Sequence, residues 1–248
     1  MERLNKILAA SNVASRRKAD ELILAGRVKV NNEIITQLGH SVKKSDEILV
    51  DDRPISKANL VYFLLNKPSG YLSTTNDDKK RRKVTDLFNA KDVTERLYPV
   101  GRLDYESAGA LIMTNDGSLT KHLTNINTLI EKEYLVRVKG IVIKEKIRQL
   151  RKGIYIGKQK HLCVPVFVAI EELDKVNQST LIRLVLSDVK NKDIKPMFQA
   201  LGHEIKTLTR IRFGDITLDG VKRGSYRHLK IHEVKTLKQT NGGYCGKV

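Results

Sequence analysis

The pattern of apolar and polar positions changes character several times along the chain, and each change marks a new element. Leu4, Ile7 and Leu8 recur at helical spacing, as do Ala19, Leu22 and Ile23, with Ser15 placed to cap the second helix and Gly26 to stop it. Val28 to Val30 and Ile34 to Ile35 then flank Asn31-Asn32, a pair that tolerates the left-handed conformation of a tight hairpin. Glu47 to Val50 adds a strand. Asp51 to Asn59, with Pro54, Ser56 and Lys57, follows neither period and reads as a linker, which bounds a first domain at residues 1–58.

Beyond the linker the elements become longer. Val61 to Leu65 and the apolar run Ala108 to Met113 read as strands, and Tyr134, Val136 and Val138 share one face of another at period two. Ile143 to Leu150 is helix-like and Leu181 to Leu186 strand-like. Asp193 to Leu201 reads as a helix with Pro196 near its first turn and Gly202 as its stop. Leu208 to Phe213 and Arg227 to Ile231 complete the strands. A second domain therefore spans 59–237, and 238–248, rich in glycine and asparagine, reads as a flexible tail.

Charge narrows the partner. The 248 residues carry 46 Lys and Arg against 28 Asp and Glu, a formal charge of +18, far more than solubility requires. Nucleic acid is the leading anionic partner. An anionic membrane surface competes, but no apolar run approaches the roughly 20 residues of a spanning helix. Arg16, Arg17 and Lys18 open the second helix, where the macrodipole disfavours cations, so a phosphate held jointly with the free backbone N–H groups explains them better than local stability does. Arg27 and Lys29 add charge a turn later, and Lys79 to Lys83 form a basic finger expected to be flexible and to lie on RNA. Cys163 and Cys245 make neither a disulfide framework nor a metal motif, which fits a reducing, cytoplasmic setting.

The chemistry is approached first by what is missing. There is no GxxxxGK[ST] loop, strand-linked GxGxxG, GxSxG or HExxH, so nucleotide hydrolysis, dinucleotide redox, serine hydrolysis and zincin chemistry lack motif support. His228 and His232 have helical ligand spacing but a strand-like setting and no third ligand nearby, so no metal is expected. What stands out is Gly101 to Gly117, GRLDYESAGALIMTNDG. Its polar segment Asp104 to Ser107 is held between Leu103 and the apolar run, and it is closed by turn residues Thr114 to Gly117. By physics alone it is an anchored polar loop with one candidate carboxylate, Asp104.

Two resemblances give these features meaning. RLNKILAASNVASRRKADELILAGRVKVNN resembles the small RNA-binding module first seen in a ribosomal small-subunit protein, over about residues 2 to 50. GRLDYESAGALIMTNDG is similar to the GRLDxx[ST]xGLLLxTNDG signature of the rRNA pseudouridine synthases of the RsuA/RluB type. NKPSG, KEYLVRV, Leu186 to Gly202, RIRFGDITL and GSYRHL match further landmarks in order.

The resemblance implies an α+β protein: a small helical/β RNA-binding module, then a larger domain with a mixed, mainly antiparallel sheet flanked by helices. It also implies that Asp104 is the catalytic nucleophile, that Tyr134 stacks on the target base, and that Lys195 pairs with Asp104, with Arg102 a phosphate or displaced-base contact. No cofactor is implied. The expected substrate is a uridine of ribosomal RNA, the large-subunit RNA favoured, free or in an assembling subunit, and the enzyme is expected to be a monomer. A non-catalytic assembly factor that binds rRNA is the runner-up. It is motivated by DVKNKDIKPM standing where the family has EGRNREVRRM: Val189 replaces a glycine, Lys190, Lys192 and Lys195 replace arginines, and Pro196 stands for another arginine. Lysine keeps the charge and loses bidentate geometry.

Overall fold

A computed structural model describes residues 1–88, 92–125, 128–157, 161–187 and 191–240. It divides into two compact units, the first comprising Met1–Val61 with the short returns Thr94–Arg96 and Asn115–Gly117, the second the remainder. The division falls three residues beyond the linker boundary read from sequence, and the returns explain why. Asn12 donates to the Thr94 carbonyl at 3.3 Å and accepts from the Arg96 N–H at 2.6 Å. Asn115 likewise accepts from Val61 N–H and donates to the Asn59 carbonyl.

In the first unit, α1 (Leu4–Ala10) and α2 (Arg16–Leu24) pack on a small sheet of β1 (Val28–Val30), β2 (Glu33–Ile34), β3 (Ile48–Val50) and β4 (Arg53–Pro54), in the order β2-β1-β3-β4. Ser15 Oγ accepts the Lys18 N–H at 3.2 Å, and Gly26 turns the chain out of α2 at φ +68°. Leu4, Leu8, Ala19, Ile23, Val28 and Val42 form the core. Asn31 and Asn32 hold φ of 49° and 68°, the expected left-handed pair. Asp51 and Asp52 do the same at 49° and 62°, so the start of the supposed linker is a second hairpin closing on β4.

The second unit contains β5 (Tyr62–Lys67), β6 (Ala108–Thr114), α3 (Gly117–Leu123), β7 (Lys132–Lys139), α4 (Lys144–Lys152), β8 (Phe167–Asp174), β9 (Ser179–Leu186), α5 (Asn191–Ala200), β10 (Ile205–Phe213), β11 (Tyr226–His228) and α6 (Ile231–Gln239). Its sheet runs β8-β9-β7-β10-β6-β5-β11. Every pairing on that path is antiparallel except β10 with β6, which is parallel and joins only Thr209 to Ala108 and Arg210 to Gly109. The sheet is mixed and mainly antiparallel, as expected.

That parallel seam explains one glycine. At Gly109, φ is +109° and a Cβ would lie 2.1 Å from the Arg210 carbonyl oxygen, closer than any side chain allows. On one side of the seam, Tyr134, Val136, Val138, Ile182 and Leu184 pack against Ile147 and Leu150 of α4 and Met197 and Phe198 of α5. On the other, Leu64, Ala110 and Ile112 pack with Leu119 of α3 and Leu237 of α6. All of β6 is buried, so it reads as a continuous apolar run rather than an alternation.

Among the labelled elements, β4, β8, α3 and α6 were not foreseen. The strand expected over Arg227 to Ile231 stops at His228, and α6 begins at Ile231 because the Glu233 carboxylate accepts the Lys230 N–H at 2.6 Å and binds Arg227 at 2.7 Å. Lys238 and Gln239 therefore belong to a helix, and the rest of the supposed tail, from Asn241, lies outside the described residues. Helix α5 starts at Asn191, which places Pro196 inside it and not in its first turn. Val189 and Lys190 lie outside the described residues, as does Cys245, while Cys163 is buried. No helix among the described residues is long and apolar enough to cross a membrane.

Candidate active site

The loop between Gly101 and Ser107 enters at a glycine with φ +70° and is bonded by its backbone from three directions. Ser73 donates through Oγ to the Leu103 carbonyl at 2.7 Å and accepts the Leu103 N–H at 3.1 Å. Gly70 N–H donates to the Tyr105 carbonyl at 2.8 Å, and Ser107 N–H closes a turn on the Asp104 carbonyl at 3.1 Å. The third tie is Lys67. At the end of β5 this lysine is 0 % exposed, and its Nζ donates to the carbonyls of Ser107 (2.6 Å), Asp104 (3.0 Å) and Pro68 (3.2 Å). Burial pushes the Lys67 ammonium down to about 8, and the negative charge of Asp104 partly offsets that fall.

Asp104 itself is half-buried at the head of this turn, and Leu103 beside it is buried. Its charge acts on two groups beneath it, Lys67 and the Tyr134 phenol. A carboxylate so placed has a fixed backbone and a partly open face, which is what a nucleophile on a bulky substrate requires.

Tyr134 lies on β7 with its side chain 0 % exposed and Arg210 of β10 directly opposite it in register. Burial raises the phenol, and the Arg210 guanidinium pulls it back down. Arg102 is exposed at the mouth of the loop. Lys195 projects from α5 and forms its ion pair with Glu106, at 2.7 Å, not with Asp104. That contact holds the Glu106 carboxyl below its ordinary range. Both partners are largely exposed, so the pair is a surface contact that exchanges at little cost.

Beside the loop lies a groove of about 800 Å³, lined among others by Glu106, Lys195, His203, Lys206, Thr207 and Arg223. It follows the first half of β10, which has separated from β6 by that point. The basic finger is braced: Arg81 binds Asp77 at 2.6 Å, and Leu72 N–H bonds the Arg82 carbonyl at 2.9 Å. Arg82 also sits over the Tyr71 ring. The finger is therefore tied at its base and not the loose segment its composition implies.

On the first unit, Arg16, Arg17 and Lys18 are exposed and form no ion pair among the described residues. Arg16 shares a hollow with Arg3, Lys43 and Lys44, cations that the sequence pattern did not single out. Arg27 and Lys29 differ, being bound to Asp51 (2.5 and 2.7 Å) and Asp52 (2.6 Å) of the second hairpin. His228 packs against the Phe63 ring, and His232 lies on α6. Among the described residues no cluster of three or more His, Cys, Asp or Glu is arranged to hold a metal ion.

Sequence reasoning passed over Lys67, Ser73 and Arg210. Lys67 had a signal, a lysine closing an otherwise apolar strand just before a proline. Arg210 had none that local pattern could supply, since arginine on an alternating strand ordinarily faces water.

Residues 61–200 match the family model of RNA pseudouridylate synthases and residues 2–48 that of the S4 domain. The chain is 43% identical over 238 residues to ribosomal large subunit pseudouridine synthase B of Bacillus subtilis, covering 96% of both chains. It is 36% identical to an uncharacterized RNA pseudouridine synthase of Aquifex aeolicus, covering 97% of this chain and 95% of the other. A crystal structure of a pseudouridylate synthase superposes with a TM-score of 0.66 at 28% identity, covering 96% of this chain and all of that one. With its N-terminal S4 domain and the braced aspartate loop of its larger unit, the chain belongs to the RNA pseudouridine synthase family.

Proposed function

We propose that this enzyme converts a uridine of large-subunit ribosomal RNA to pseudouridine, with Asp104 as the nucleophile. The observation that carries the reading is the clamp on the Asp104 turn: Lys67, Ser73 and Gly70 fix its backbone while the carboxylate remains partly open. The substrate is inferred from the relative in Bacillus subtilis, whose name specifies the large ribosomal subunit.

In this reading the carboxylate attacks the nucleotide, the bond between uracil and ribose breaks, the base turns, and a carbon–carbon bond to the same ribose forms as the carboxylate is released, the hydrogen leaving that carbon as the released nitrogen gains one. Two easier steps replace a difficult exchange, and neither needs a metal or redox group. The nucleotide must leave its stack, at a cost of a few kcal/mol, and aromatic contact recovers part of that. Because the Tyr134 ring is covered in the RNA-free protein, stacking on it requires the loop or the groove wall to shift as RNA enters. Lys195 would then exchange Glu106 for Asp104, or for a phosphate in the groove. Arg102, Arg16, Arg17 and Lys18 supply phosphate contacts, and Arg27 and Lys29 add to them only by releasing their aspartates. The enzyme acts as a monomer in the cytoplasm, on free or assembling RNA.

Carbodiimide–primer-extension mapping of ribosomal RNA from cells with the wild-type chain, without it, and with Asp104→Asn tests the proposal. One large-subunit stop present only with the wild type is expected. Identical patterns in all three would refute it.

A further inference from the structure

In the groove beside the Asp104 loop, the hydrogen-bonding role of His203 is fixed by its surroundings. Helix α5 is closed by Gly202 (φ +79°), whose N–H donates to the Gln199 carbonyl at 2.9 Å, and by the His203 N–H, which donates to the Phe198 carbonyl at 2.9 Å. This paired closure of a helix C-terminus sets the backbone of His203. The ring is set separately. Its Nδ1 lies 3.0 Å from the Lys139 carbonyl oxygen at the end of β7, and the ring packs against Gly140, where a Cβ would come 3.6 Å from Nδ1 and 3.7 Å from Cε1.

A carbonyl oxygen can only accept, so Nδ1 carries the hydrogen, and in the neutral ring Nε2 is left as an acceptor. Nε2 has no hydrogen-bond partner among the described residues, and His203 lines the groove. The cations that line it with His203, namely Lys195, Lys206 and Arg223, can only donate, which suits phosphates. The carboxylates of Glu106 and Glu204 accept, but they also repel a phosphate backbone, and Glu106 is already taken up by Lys195. A neutral, fixed acceptor among phosphate-binding cations is suited to a donor carried by the RNA itself.

We infer that His203 is a specificity-determining residue of this groove, its Nε2 accepting a hydrogen bond from the strand that flanks the target uridine, from either a ribose 2′-hydroxyl or a base amino group. The inference rests on the reading of the groove as the place where RNA lies beside Asp104. A ring already held by its backbone and by Nδ1 loses little freedom on binding. The bond therefore discriminates between an RNA that offers the donor and one that does not, and a 2′-hydroxyl in that place would separate RNA from DNA.

The test is a binding cycle between protein and RNA variants, run in the Asp104→Asn background so that affinity is read without turnover. The probe is a short synthetic RNA spanning the mapped uridine, with single 2′-deoxy substitutions at the flanking nucleotides in one series and bases lacking their amino group in another. His203→Leu should weaken binding of the unmodified RNA about three- to tenfold, the range of one hydrogen bond. One modified RNA should lose about as much with His203 present and nothing further with His203→Leu, and the series to which it belongs identifies the donor. His203→Gln, which keeps an acceptor, should recover part of the affinity. With Asp104 restored, His203→Leu should raise the half-saturating RNA concentration and leave the single-turnover rate at saturation unchanged. Losses that multiply at every position, or full affinity in His203→Leu, would make His203 only a brace on Lys139 and overturn the inference. Should His203→Leu not fold, His203→Phe, which keeps the bulk of the ring, decides the same question. Turnover that persists in Asp104→Asn would instead overturn the reading of Asp104, while the binding cycle still decides for or against His203.

Discussion

The Lys67 ammonium lies 2.6 Å from the Ser107 carbonyl oxygen, joining the end of one strand to the far side of the Asp104 turn. Replacing it by methionine takes the Lys67 donor from the Ser107 and Pro68 carbonyls, while the Asp104 carbonyl keeps the Ser107 N–H, and a carbonyl left unsatisfied costs about 1–3 kcal/mol when buried. Lys67→Met is expected to lower stability by several kcal/mol at neutral pH and to abolish turnover even where the protein remains folded. Urea denaturation and single-turnover assays check both.

The same lysine gives a pH signature. Its folded value, about 8, lies below the ordinary 10.5, so between those two pH values the unfolded chain binds more protons and stability contributed by this group rises with pH. Below about 8 the group is charged in both states and its contribution is level. The stability difference between wild type and Lys67→Met should therefore widen from pH 8 to pH 10. A flat difference would show that the amine is not desolvated.

Gly109 admits no substitution. A Cβ there would meet the Arg210 carbonyl at 2.1 Å, and backbone cannot retreat as a flexible side chain can. Gly109→Ala should cost more than about 3 kcal/mol, beyond the usual range for a single change, and should give an insoluble or loosened protein by near-ultraviolet circular dichroism.

The pair between Lys195 and Glu106 should behave in the opposite way. Its partners are 45% and 75% exposed, so Glu106→Gln is expected to change stability by less than about 1 kcal/mol. It should tighten RNA binding at low salt, because a lysine in the groove is released and an anion removed. Lys195→Met should slow turnover. Filter binding across a salt series separates the two.

On the first unit, removing the charges of Arg16, Arg17 and Lys18 together should weaken RNA binding and flatten its salt dependence by about two in the logarithmic slope, near 0.7–0.9 per lost phosphate contact. Removing Arg27 and Lys29 should have a smaller effect, since Asp51 and Asp52 already neutralise them.

The sequence was most informative where one local rule decides the structure. Ser15, Gly26 and the Asn31-Asn32 turn do what their side chains dictate, and Tyr134, Val136 and Val138 are buried together as their alternation requires. It failed where partners are distant. The Asp51-Asp52 turn carries the same chemistry as Asn31-Asn32, but Pro54 concealed it, being admissible there only because β4 is an edge strand. Helix α6 depends on Glu233 and on apolar contacts from β5 and β6, and β8 on pairing with β9. In the candidate site, the anchored loop that carries Asp104 was legible through its motif. The clamp by Lys67 was not, because its acceptors are backbone carbonyls about forty residues away.

The two-residue seam between β6 and β10 also bears on how the enzyme comes into being. It joins positions about a hundred residues apart, so the strand leaving the Asp104 loop lacks its neighbour on that side until the chain has been synthesised past Phe213. Contacts of such long sequence separation form late, after local hairpins and helices. The S4 domain, whose core is built from residues 4 to 48, has all of that core well before that point. During synthesis, then, the N-terminal core can close while the strand behind Asp104 still lacks its neighbour.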